Sequence, residues 1–554
     1  MDPVDARRDL DAWRTSLPDD PYTADVEVRA LNRRYLAADR LAALERRATA
    51  FGRRVVREIG PAAMGYEQRA HLPELSRYDA VGHRVEDVRF DPSYHGAGAA
   101  VWQSGLVADS GTPGRAFEQA TLLYLLSLEG EAGHACPATC TIGLARALRR
   151  RGSETLRGRF LPPLLLTDYA RVERASQFLT EVQGGSDVGA NACRAKRRED
   201  GTYLLTGEKW FCSVADADQF LVTARPDGAP GGTRGLGCFV VPRRLDGEPN
   251  GFSLRRLKDK LGTRGMASAE VDFDGAVAWP IGPVEEGFKT AVSVVLNTSR
   301  WMTAIGSTGM MRRAVLEATG YARHRRAFGQ AIVEFPLVRQ TLSEMHMDWL
   351  GALHLTWLLT ELEDRIDANT ADEEDVLFHR FLVNATKYAV SVRASRVVAQ
   401  AIEVLGGNGT IEDFSILPRL YRDTIVYESW EGTHNVLVAQ VLNDLRRLQI
   451  LEVVRSRTEE MLAASDAEAA GLGGTMLGET LEGMARAMED AAYGAVHFRR
   501  LLDRLMGVVQ TAVLVRDDTE RSTAAADLFV RLRLDPSYRP ESDDAFLDRI
   551  DALL

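Results

Sequence analysis

The sequence predicts an α+β fold that is mainly α-helical, because its hydrophobic pattern changes twice along the 554 residues. Long segments with apolar residues at helical spacing lie on both sides of a central region. The central region instead has short β-branched and aromatic runs separated by turns. We therefore predict an N-terminal helical domain at 1–177, an antiparallel β-domain at 178–285, a helical bundle domain at 286–450 and a C-terminal helical extension at 451–554.

Helices are predicted from the start of the chain to about residue 170. Apolar residues recur every three or four positions in 31–36 and 41–44, which is typical of amphipathic helices. The turn sequence Gly-Thr-Pro-Gly at 111–114 interrupts this pattern. We expect the apolar run that follows it, at 120–126, to lie in the core.

The β-domain is predicted from apolar runs at 203–205, 220–222 and 238–241. These runs are rich in tyrosine, phenylalanine and valine, which favour strands. Aspartate-glycine pairs at 227–228 and 246–247 are typical of turns. Short strands joined by such turns predict a small, mostly antiparallel sheet.

Long amphipathic helices are predicted again after the β-domain, including 307–327 and 335–362. The acidic run at 370–375 is expected to be a solvated connection between two helices. In the C-terminal extension, the glycine-rich sequence at 471–474 predicts a loop.

Composition favours a soluble cytoplasmic protein without a membrane partner. The formal net charge is −11, and no apolar run reaches the roughly 20 residues that a membrane-spanning helix needs. The acidic start of the chain lacks the order of a secretory signal peptide. Only six of the 68 basic residues are lysine, which we interpret as genome composition without functional meaning.

The cysteines predict neither a disulfide framework nor a metal site. They form no C-x-x-C pair, and their odd number argues against a set of disulfides. Cys136 and Cys140 could share a helix face, but His134 is the only histidine close to them in sequence. We therefore expect buried thiols at Cys136, Cys140, Cys193, Cys212 and Cys238.

Two segments carry the chemistry. The first, Leu-Thr-Glu-Val-Gln-Gly-Gly-Ser-Asp at 179–187, offers hydroxyls and backbone donors of the kind that hold a flavin. The second, Tyr-Glu-Ser-Trp-Glu-Gly-Thr-His-Asn at 427–435, places a carboxylate beside a glycine turn, and it follows Leu-Gly-Gly-Asn-Gly at 405–409. Together the two segments suggest a base that faces a flavin.

These segments resemble the acyl-CoA dehydrogenase family, which carries Thr-Glu-x-x-x-Gly-Ser-Asp in its β-domain and Glu-Gly-Thr in its C-terminal helical domain. The chain is most similar to the AidB branch of that family. The similarity rests on short sequence motifs at 72–75 with 77–79, at 87–90, at 207–211 and at 257–262. The resemblance covers about residues 70 to 447. It implies an acyl-CoA dehydrogenase-like fold with FAD as the cofactor.

The resemblance also implies an oxidoreductase that acts on an acyl thioester. Its reaction removes a proton α to the thioester carbonyl and transfers a β hydrogen as hydride to flavin N5. A carboxylate that is partly buried beside an apolar substrate suits the first task, because its pKa rises toward neutrality. Glu431 matches the family's base. Glu428 is the nearby alternative, but the family's spacing of eight residues from an aspartate is met by Asp423 and Glu431.

By the same resemblance, Thr180 and Ser186 match positions that contact the flavin ring and its phosphates. Leu179 lies alongside through its main chain. Gly184 and Gly185 remove side chains where the backbone must come close to the cofactor.

Two further matches lie in the string at 207–213. Phe211 falls where most of the family has a tryptophan packed against the isoalloxazine. Ser213 falls where a threonine hydroxyl reaches flavin N5 or O4. Trp210 is expected to be a neighbouring core residue.

The adenine dinucleotide end of FAD is bound in the family across a dimer interface, by an arginine and a phenylalanine that match Arg325 and Phe328. A guanidinium suits pyrophosphate because it is always charged and forks onto two oxygens. The match implies a homodimer or a homotetramer.

The remaining cofactor contacts are expected from the helical bundle domain. Gly406 and Gly407 should admit phosphates, and Thr433 and Asn435 should contact the adenosine portion. Glu403 matches a cofactor position where the family usually has glutamine, and an anionic side chain near phosphates is unfavourable unless it is paired. Two other departures from the family pattern are Pro336 with Arg339, in place of a glutamine pair, and Trp430, in place of a tyrosine.

Two alternatives to a dehydrogenase stay open. The first is a protective flavoprotein that binds duplex DNA, as proposed for the AidB branch, through its C-terminal helices. DNA binding needs a basic surface, whereas 451–554 contains 12 arginines against 20 acidic residues. The second is a biosynthetic flavoenzyme that acts on a carrier-bound substrate, because one fold supports varied chemistry. The acyl group and the electron acceptor stay unassigned.

Overall fold

A computed structural model describes residues 3–519 and 521–554 of the protein. These residues divide into two compact units. The first unit consists of the described residues of Met1–Arg53 together with Ser127–Gly130 and Thr303–Leu554, and the second unit consists of Arg54–Leu126 and Glu131–Met302. The large β-sheet belongs to the second unit. The four domain boundaries given above stay predictions.

Helices form most of the chain up to residue 164. Their starts follow from local capping, since the Asp25 carboxylate accepts the backbone N–H of Val28 at 3.3 Å and the Ser153 hydroxyl accepts that of Leu156 at 3.2 Å. The helices are α1 (Pro3–Ser16), α2 (Pro21–Ala24), α3 (Val26–Tyr35), α4 (Ala38–Arg54), α5 (Gly60–Tyr66), α6 (Pro92–Gln103), α7 (Ala116–Leu126), α8 (Ala135–Arg151) and α9 (Glu154–Leu164). Every residue of α7 is buried, so 120–126 does lie in the core.

The prediction of helices is wrong between residues 74 and 89, where β1 (Glu74–Tyr78) and β2 (Arg84–Arg89) form an antiparallel hairpin. The Asp79 carboxylate closes the turn by accepting the backbone N–H groups of Val81 and His83 at 2.9 and 2.8 Å. The buried Glu86 carboxylate accepts the backbone N–H of Leu254, 168 residues away, at 2.7 Å. This long-range contact is not visible in the local hydrophobic pattern.

The central sheet has seven strands in the described chain, and it confirms the predicted, mostly antiparallel arrangement. The strands of this region are β3 (Ala175–Phe178), β4 (Arg194–Arg197), β5 (Tyr203–Ser213), β6 (Gln219–Pro226), β7 (Gly237–Pro242), β8 (Arg244–Leu245), β9 (Glu248–Pro249), β10 (Phe252–Leu257) and β11 (Ser268–Pro280). The order is β10-β11-β5-β4-β6-β3, with β7 paired to β11 and β6, while β8 and β9 form a separate hairpin. Only β3 and β4 pair with β6 in parallel, among the described strands.

Helices return after the sheet and are interrupted by one short hairpin. The elements are α10 (Gly287–Thr290), α11 (Asn297–His324), β12 (Arg326–Ala327), β13 (Gln330–Ala331), α12 (Pro336–Asp367), α13 (Glu373–Leu405), α14 (Leu417–Ser429) and α15 (His434–Arg447). The acidic run at 370–375 is a connection only in its first half. Asp372 and Asp375 form a capping box that starts α13, so the rest of the run is the first helical turn.

The C-terminal extension is helical, but the predicted loop at 471–474 is wrong. The helices are α16 (Ile450–Ala463), α17 (Glu468–Glu489), α18 (Ala491–Asp517), α19 (Ser522–Phe529) and α20 (Phe546–Asp551). Glycine inside a helix costs about 1 kcal/mol relative to alanine. At Gly473, however, a Cβ would lie 3.0 Å from Leu462 Cδ2. Close packing of α17 against α16 therefore outweighs the local preference for a loop.

A buried histidine joins the C-terminal extension to the rest of the first unit. His354 Nδ1 lies 2.8 Å from Asp517 Oδ2, and its Nε2 lies 3.8 Å from Glu27 Oε2. Burial alone would lower the pKa of His354, but the hydrogen bond to Asp517 and the nearby carboxylates of Asp517 and Glu27 outweigh burial and raise it. The imidazole thus lies between carboxylates of α3 and α18 and links these two helices to α12.

The other expectations from composition can be compared with the structure directly. All five cysteines are buried and unbridged. In the described part of the chain, no group of three or more His, Cys, Asp or Glu side chains could hold a metal ion. None of the helices within 3–519 and 521–554 is long and apolar enough to cross a bilayer.

Candidate functional site

The loop that follows β3 begins with Leu179 and Thr180, and hydrogen bonds within the second unit fix its main chain. The carbonyl of Leu179 accepts hydrogen bonds from Asn191 Nδ2 at 2.7 Å and from Lys209 Nζ at 3.3 Å. The carbonyl of Thr180 accepts the backbone N–H of Trp210 at 2.9 Å. The loop is therefore held against β5 at its base.

Glu181 anchors the same loop from inside. Its buried carboxylate accepts Lys209 Nζ at 2.8 Å, Gln183 Nε2 at 2.7 Å and the backbone N–H groups of Ala192 and Cys193 at 2.6 and 3.2 Å. Burial would raise the pKa of Glu181, but the Lys209 ammonium and these hydrogen bonds lower it. Glu181 is thus an ionised structural centre of the loop, a role that the sequence did not reveal.

The glycines of the loop leave its outer surface open. Gly184 has a φ of +148° and a Cβ there would meet nothing within 4 Å. A Cβ at Gly185 would lie 2.8 Å from Thr180 Oγ1, so a side chain at 185 would displace that hydroxyl. Ser186 is exposed. The loop presents two hydroxyls and uncovered backbone, a donor set that fits the ring edge and phosphates of a flavin nucleotide.

Phe211 and Ser213 lie on one face of β5, because alternate residues of a strand point the same way. Phe211 is 53% exposed, which is unusual for a phenylalanine on a strand of the central sheet. Cys212 between them is fully buried. Ser213 Oγ lies 3.1 Å from Ser268 Oγ on β11. An exposed ring beside a fixed hydroxyl fits a flat aromatic ligand.

Trp210 is half-buried under Lys258, not in the core as predicted. Lys258 Nζ lies 3.4 Å from the centre of the indole ring and 2.8 Å from Glu270 Oε1. A cavity of about 340 Å³ opens beside Lys258. Its lining combines four cationic residues with apolar and other polar ones and consists of Arg69, Leu72, Pro73, Leu257, Lys258, Asp259, Lys260, Arg264, Met266, Ala267 and Ser268.

Glu431 lies in the first unit, on the turn that joins α14 to α15. The backbone N–H of Trp430 donates to Val426 O at 3.1 Å and ends α14. Glu431 then adopts a φ of +57° and Gly432 a φ of +110°. Left-handed backbone at a non-glycine residue costs about 1–2 kcal/mol. Such strain is concentrated at functional sites, because the surrounding structure must impose it.

Glu428, the alternative base, faces His434 across the turn. Its Oε2 lies 3.4 Å from His434 Nε2, at the end of α14 and the start of α15 respectively. Burial lowers the pKa of His434 despite the opposing effect of the Glu428 carboxylate. The contact is therefore a close approach of the two side chains and not a fixed ion pair.

Lys387 on α13 is a residue of this site that the sequence analysis did not identify. Its side chain is fully buried. The ammonium donates to the carbonyl oxygens of Glu428 at 2.9 Å and Gly432 at 3.0 Å. The only sequence signal for it was a lysine within the apolar face of a long helix, in a chain that otherwise uses arginine.

Gly406 and Gly407 lie at the C-terminal end of α13 and are open to solvent. Gly406 has a φ of +63°, and a Cβ at either position would meet nothing within 4 Å. Glu403, one turn earlier, is exposed, so its carboxylate is solvated. The open backbone at 406–407 leaves space for a phosphate group.

Thr433 and Asn435 begin α15 and are both exposed. Arg499 of α18 donates a hydrogen bond to Asn435 Oδ1. The C-terminal extension therefore reaches the segment that follows Glu431 within the first unit.

Arg325 and Phe328 lie at the hairpin of β12 and β13. Arg325 is half-buried, and Phe328, with a φ of +51°, is 96% exposed at the tip. The rings of Phe328 and Phe335 are 6.2 Å apart. Arg339, one of the departures from the family pattern, pairs with Asp551 of α20. A fully exposed phenylalanine at a hairpin tip is suited to contact with another molecule.

Three family profiles match the chain, and together they cover most of its length. The N-terminal domain of the adaptive response protein AidB matches residues 15–171. The middle domain of acyl-CoA dehydrogenases matches 176–276, and their C-terminal domain matches 285–445.

Individual proteins agree with these profiles. AidB of Escherichia coli (strain K12) is 38% identical over 387 residues, which cover 68% of this chain and 69% of that protein. Acyl-CoA dehydrogenase family member 11 of Caenorhabditis elegans is 32% identical over 465 residues, which cover 81% and 74%.

Solved structures give the same result for the fold. The structure of C. elegans ACDH-11 in complex with C11-CoA has a TM-score of 0.86 at 28% identity, covering 92% of this chain and 90% of that chain. An acyl-CoA dehydrogenase of Bacillus anthracis complexed with FAD has a TM-score of 0.71 at 19% identity, covering 92% and 87%, and shows the fold alone. These matches confirm the fold class predicted from the sequence.

Proposed function

The chain belongs to the acyl-CoA dehydrogenase family, whose members are FAD-dependent oxidoreductases, and from this premise we propose that it oxidises an acyl-CoA thioester between the α and β carbons. One observation carries the proposal: the turn after α14 holds Glu431 in a left-handed conformation that has a steric cost. The complex of the C. elegans relative with C11-CoA supports a CoA thioester as the substrate class.

Glu431 is the proposed base that removes the α proton. Its side chain is half-buried, so a bound acyl chain would complete its burial and favour proton transfer to the carboxylate. The neighbouring Glu428 lies 3.4 Å from His434. Bound FAD would accept the β hydrogen that leaves with its electron pair.

The loop after β3 and the strand β5 are proposed to hold the flavin ring. Thr180 and Ser186 would donate hydroxyl hydrogen bonds, with Leu179 alongside through its main chain and Gly185 keeping the backbone uncovered. Phe211 would pack against the ring, because an exposed aromatic face favours offset stacking.

The same strand would supply a hydrogen-bond donor. Ser213 Oγ lies 3.1 Å from Ser268 Oγ, and when it accepts a hydrogen bond from Ser268 its own hydrogen is available to a ligand. A donor that is already held by such a bond loses little entropy on binding.

The cofactor's phosphates are proposed to contact Gly406 and Gly407, and its adenosine portion Thr433 and Asn435, which all lie in the first unit. Open glycine backbone admits phosphates, and exposed polar side chains at the start of α15 can accept or donate hydrogen bonds. Glu403 would face this part of the cofactor from solvent.

A second copy of the chain is proposed to complete the cofactor site through Arg325 and Phe328. Phe328 is 96% exposed, and burying a phenylalanine side chain gains about 1.5–3 kcal/mol. Contact of this kind implies a homodimer, or a homotetramer built from dimers.

Anaerobic mixing tests the proposed reaction. The FAD-loaded protein is combined with acyl-CoA thioesters of increasing chain length, including undecanoyl-CoA, and the visible flavin absorbance is followed. We expect bleaching by at least one thioester, with the 2-enoyl product identified by mass spectrometry. A fully loaded protein that no thioester bleaches would contradict the proposal.

A further inference from the structure

We propose that Lys387 is a positioning residue that holds the Glu431 turn in its left-handed conformation. This inference rests on the proposed role of Glu431 as the base. It concerns a side chain on a different helix, 41 residues before Glu428 in the sequence.

The contacts of Lys387 bracket Glu431 on both sides. The ammonium donates to Glu428 O at 2.9 Å, three residues before the base, and to Gly432 O at 3.0 Å, one residue after it. Both bonds go to backbone atoms, so they fix the path of the main chain whatever side chains the turn carries. One cation therefore ties the end of α14 to the residue that follows the base.

The two hydrogen bonds from Lys387 satisfy carbonyl groups for which the turn itself provides no donor. Glu428 lies in the last turn of α14, where carbonyl groups have no partner within their own helix. A cationic side chain can take the place of the missing donor and interacts favourably with the negative helix end. The next residues, Glu431 and Gly432, both have positive φ. The charge-assisted bonds from Lys387 offset the cost of that backbone.

The supporting helix is rigid enough for this role. Lys387 lies in the middle of the 33-residue helix α13, which begins with a capping box. Its side chain is 0% exposed. Burying an ammonium has a cost of several kcal/mol, so it persists only where hydrogen bonds compensate. A lysine also suits the place better than arginine, because its slender stem ends in a compact group with three donors.

Loss of Lys387 should therefore displace the base without emptying the cofactor site. A shift of about 1 Å in a catalytic group can cost about 10²-fold in rate. The variants are Lys387→Met, which keeps the length of the side chain without donors, and Lys387→Gln, which can donate to one carbonyl. The matched control is Lys289→Met, because Lys289 is an exposed lysine of the second unit.

The first experiment requires no substrate. Hydrogen–deuterium exchange is measured by mass spectrometry on peptides that cover 428–434 in the FAD-loaded parent, K387M, K387Q and K289M proteins. We expect faster exchange in K387M, a smaller increase in K387Q and no change in K289M. Exchange in K387M equal to that of the parent would overturn the proposal. If K387M yields no folded protein, the proposal is judged on K387Q alone, and exchange in K387Q equal to that of the parent would overturn it.

The second experiment isolates proton removal. An undecanoyl-CoA analogue with sulfur in place of C3 has no β hydrogen to lose, so the base can only exchange the α hydrogens with D2O. Mass spectrometry follows the exchange. We expect K387M to exchange about 10²-fold more slowly than the parent, while the half-saturating analogue concentration stays within about threefold. Exchange at the parent rate would overturn the proposal.

A Glu431→Gln protein separates this inference from the proposed function. If E431Q exchanges the α hydrogens as fast as the parent, Glu431 is not the base and the premise fails. If E431Q is inactive while K387M exchanges normally, only the role of Lys387 is wrong. Slow exchange in both variants, with normal FAD content in K387M, supports both.

Discussion

Replacing Lys209 by methionine is expected to loosen the loop after β3 selectively. Lys209 is the buried cation that pairs with Glu181 at 2.8 Å, and the two side chains are 0% and 2% exposed. The substitution leaves a carboxylate inside the second unit with three remaining donor residues, Gln183, Ala192 and Cys193. None of these carries a positive charge.

The size of the effect follows from this burial. Removing one partner of a buried ion pair costs about 3–5 kcal/mol, because the other charge stays uncompensated. If the loop can open locally, the opening equilibrium should rise by about 10²- to 4 × 10³-fold, since each 1.4 kcal/mol is about tenfold. The amides of Ala192 and Cys193 donate to Glu181, so they should report the opening directly.

Hydrogen exchange at those two amides is the assay. The K209M protein should lose protection there, and it should bind FAD more weakly in a fluorescence titration. A K209M/E181Q double variant should regain part of the loss, because no buried charge remains. Protection at Ala192 and Cys193 unchanged from the parent would refute the reasoning.

The pH dependence of the same pair has a defined sign. The pKa of Glu181 is lowered in the folded protein from an ordinary value of 4.5. A lowered carboxyl pKa contributes stability that is present above the unfolded pKa and is lost as pH falls through the folded pKa. In K209M no ammonium opposes burial, so the pKa of Glu181 rises, and the stability difference between K209M and the parent should begin to shrink at a higher pH than the one at which the parent itself loses stability.

The remaining predictions concern other parts of the molecule. Gly185→Val should weaken FAD binding about 5- to 100-fold, because overpacking against Thr180 costs about 1–3 kcal/mol. Fluorescence titration of the apoprotein with FAD measures this affinity. An unaltered affinity would argue against the loop as a cofactor site. His354→Gln should lower the thermal unfolding midpoint most below pH 6.5. Because the pKa of His354 is raised in the folded protein, the stability that it contributes is present below pH 6.5 and is lost as pH rises through the folded pKa. An equal decrease of the midpoint at every pH would rule out this titration. Phe328→Asp should shift the protein from oligomer to monomer in light scattering, whereas an unchanged mass would exclude the hairpin from the interface.

Sequence patterns were sufficient where the chain obeys local rules. The strands around Phe220 and Cys238 and the buried helix α7 formed as predicted. The patterns failed where distant contacts decide. The helix through Gly473 depends on packing against Leu462, and the hairpin before residue 89 depends on a buried glutamate that binds Leu254.

The same limit applies to the candidate site. Motifs identified Glu431 and the loop at 179–187, because their residues are adjacent in sequence. They did not identify Lys387 or Lys209, whose partners are 41 and 28 residues away. A weak signal existed, since lysine is rare in this chain. Lys196 and Lys289 are exposed, and the other four lysines are buried or half-buried. At these four positions the chain has lysine, whereas nearly all of its other basic residues are arginine.

The most direct test of the central claim is anaerobic bleaching of the flavin by an oxidisable acyl-CoA in two matched variants. Glu431→Gln should retain FAD and lose about 10²- to 10⁴-fold in bleaching rate, the range expected for a general base. Glu428→Gln, which removes the alternative carboxylate, should bleach within about tenfold of the parent. Rapid bleaching of the FAD-loaded E431Q protein would contradict the account.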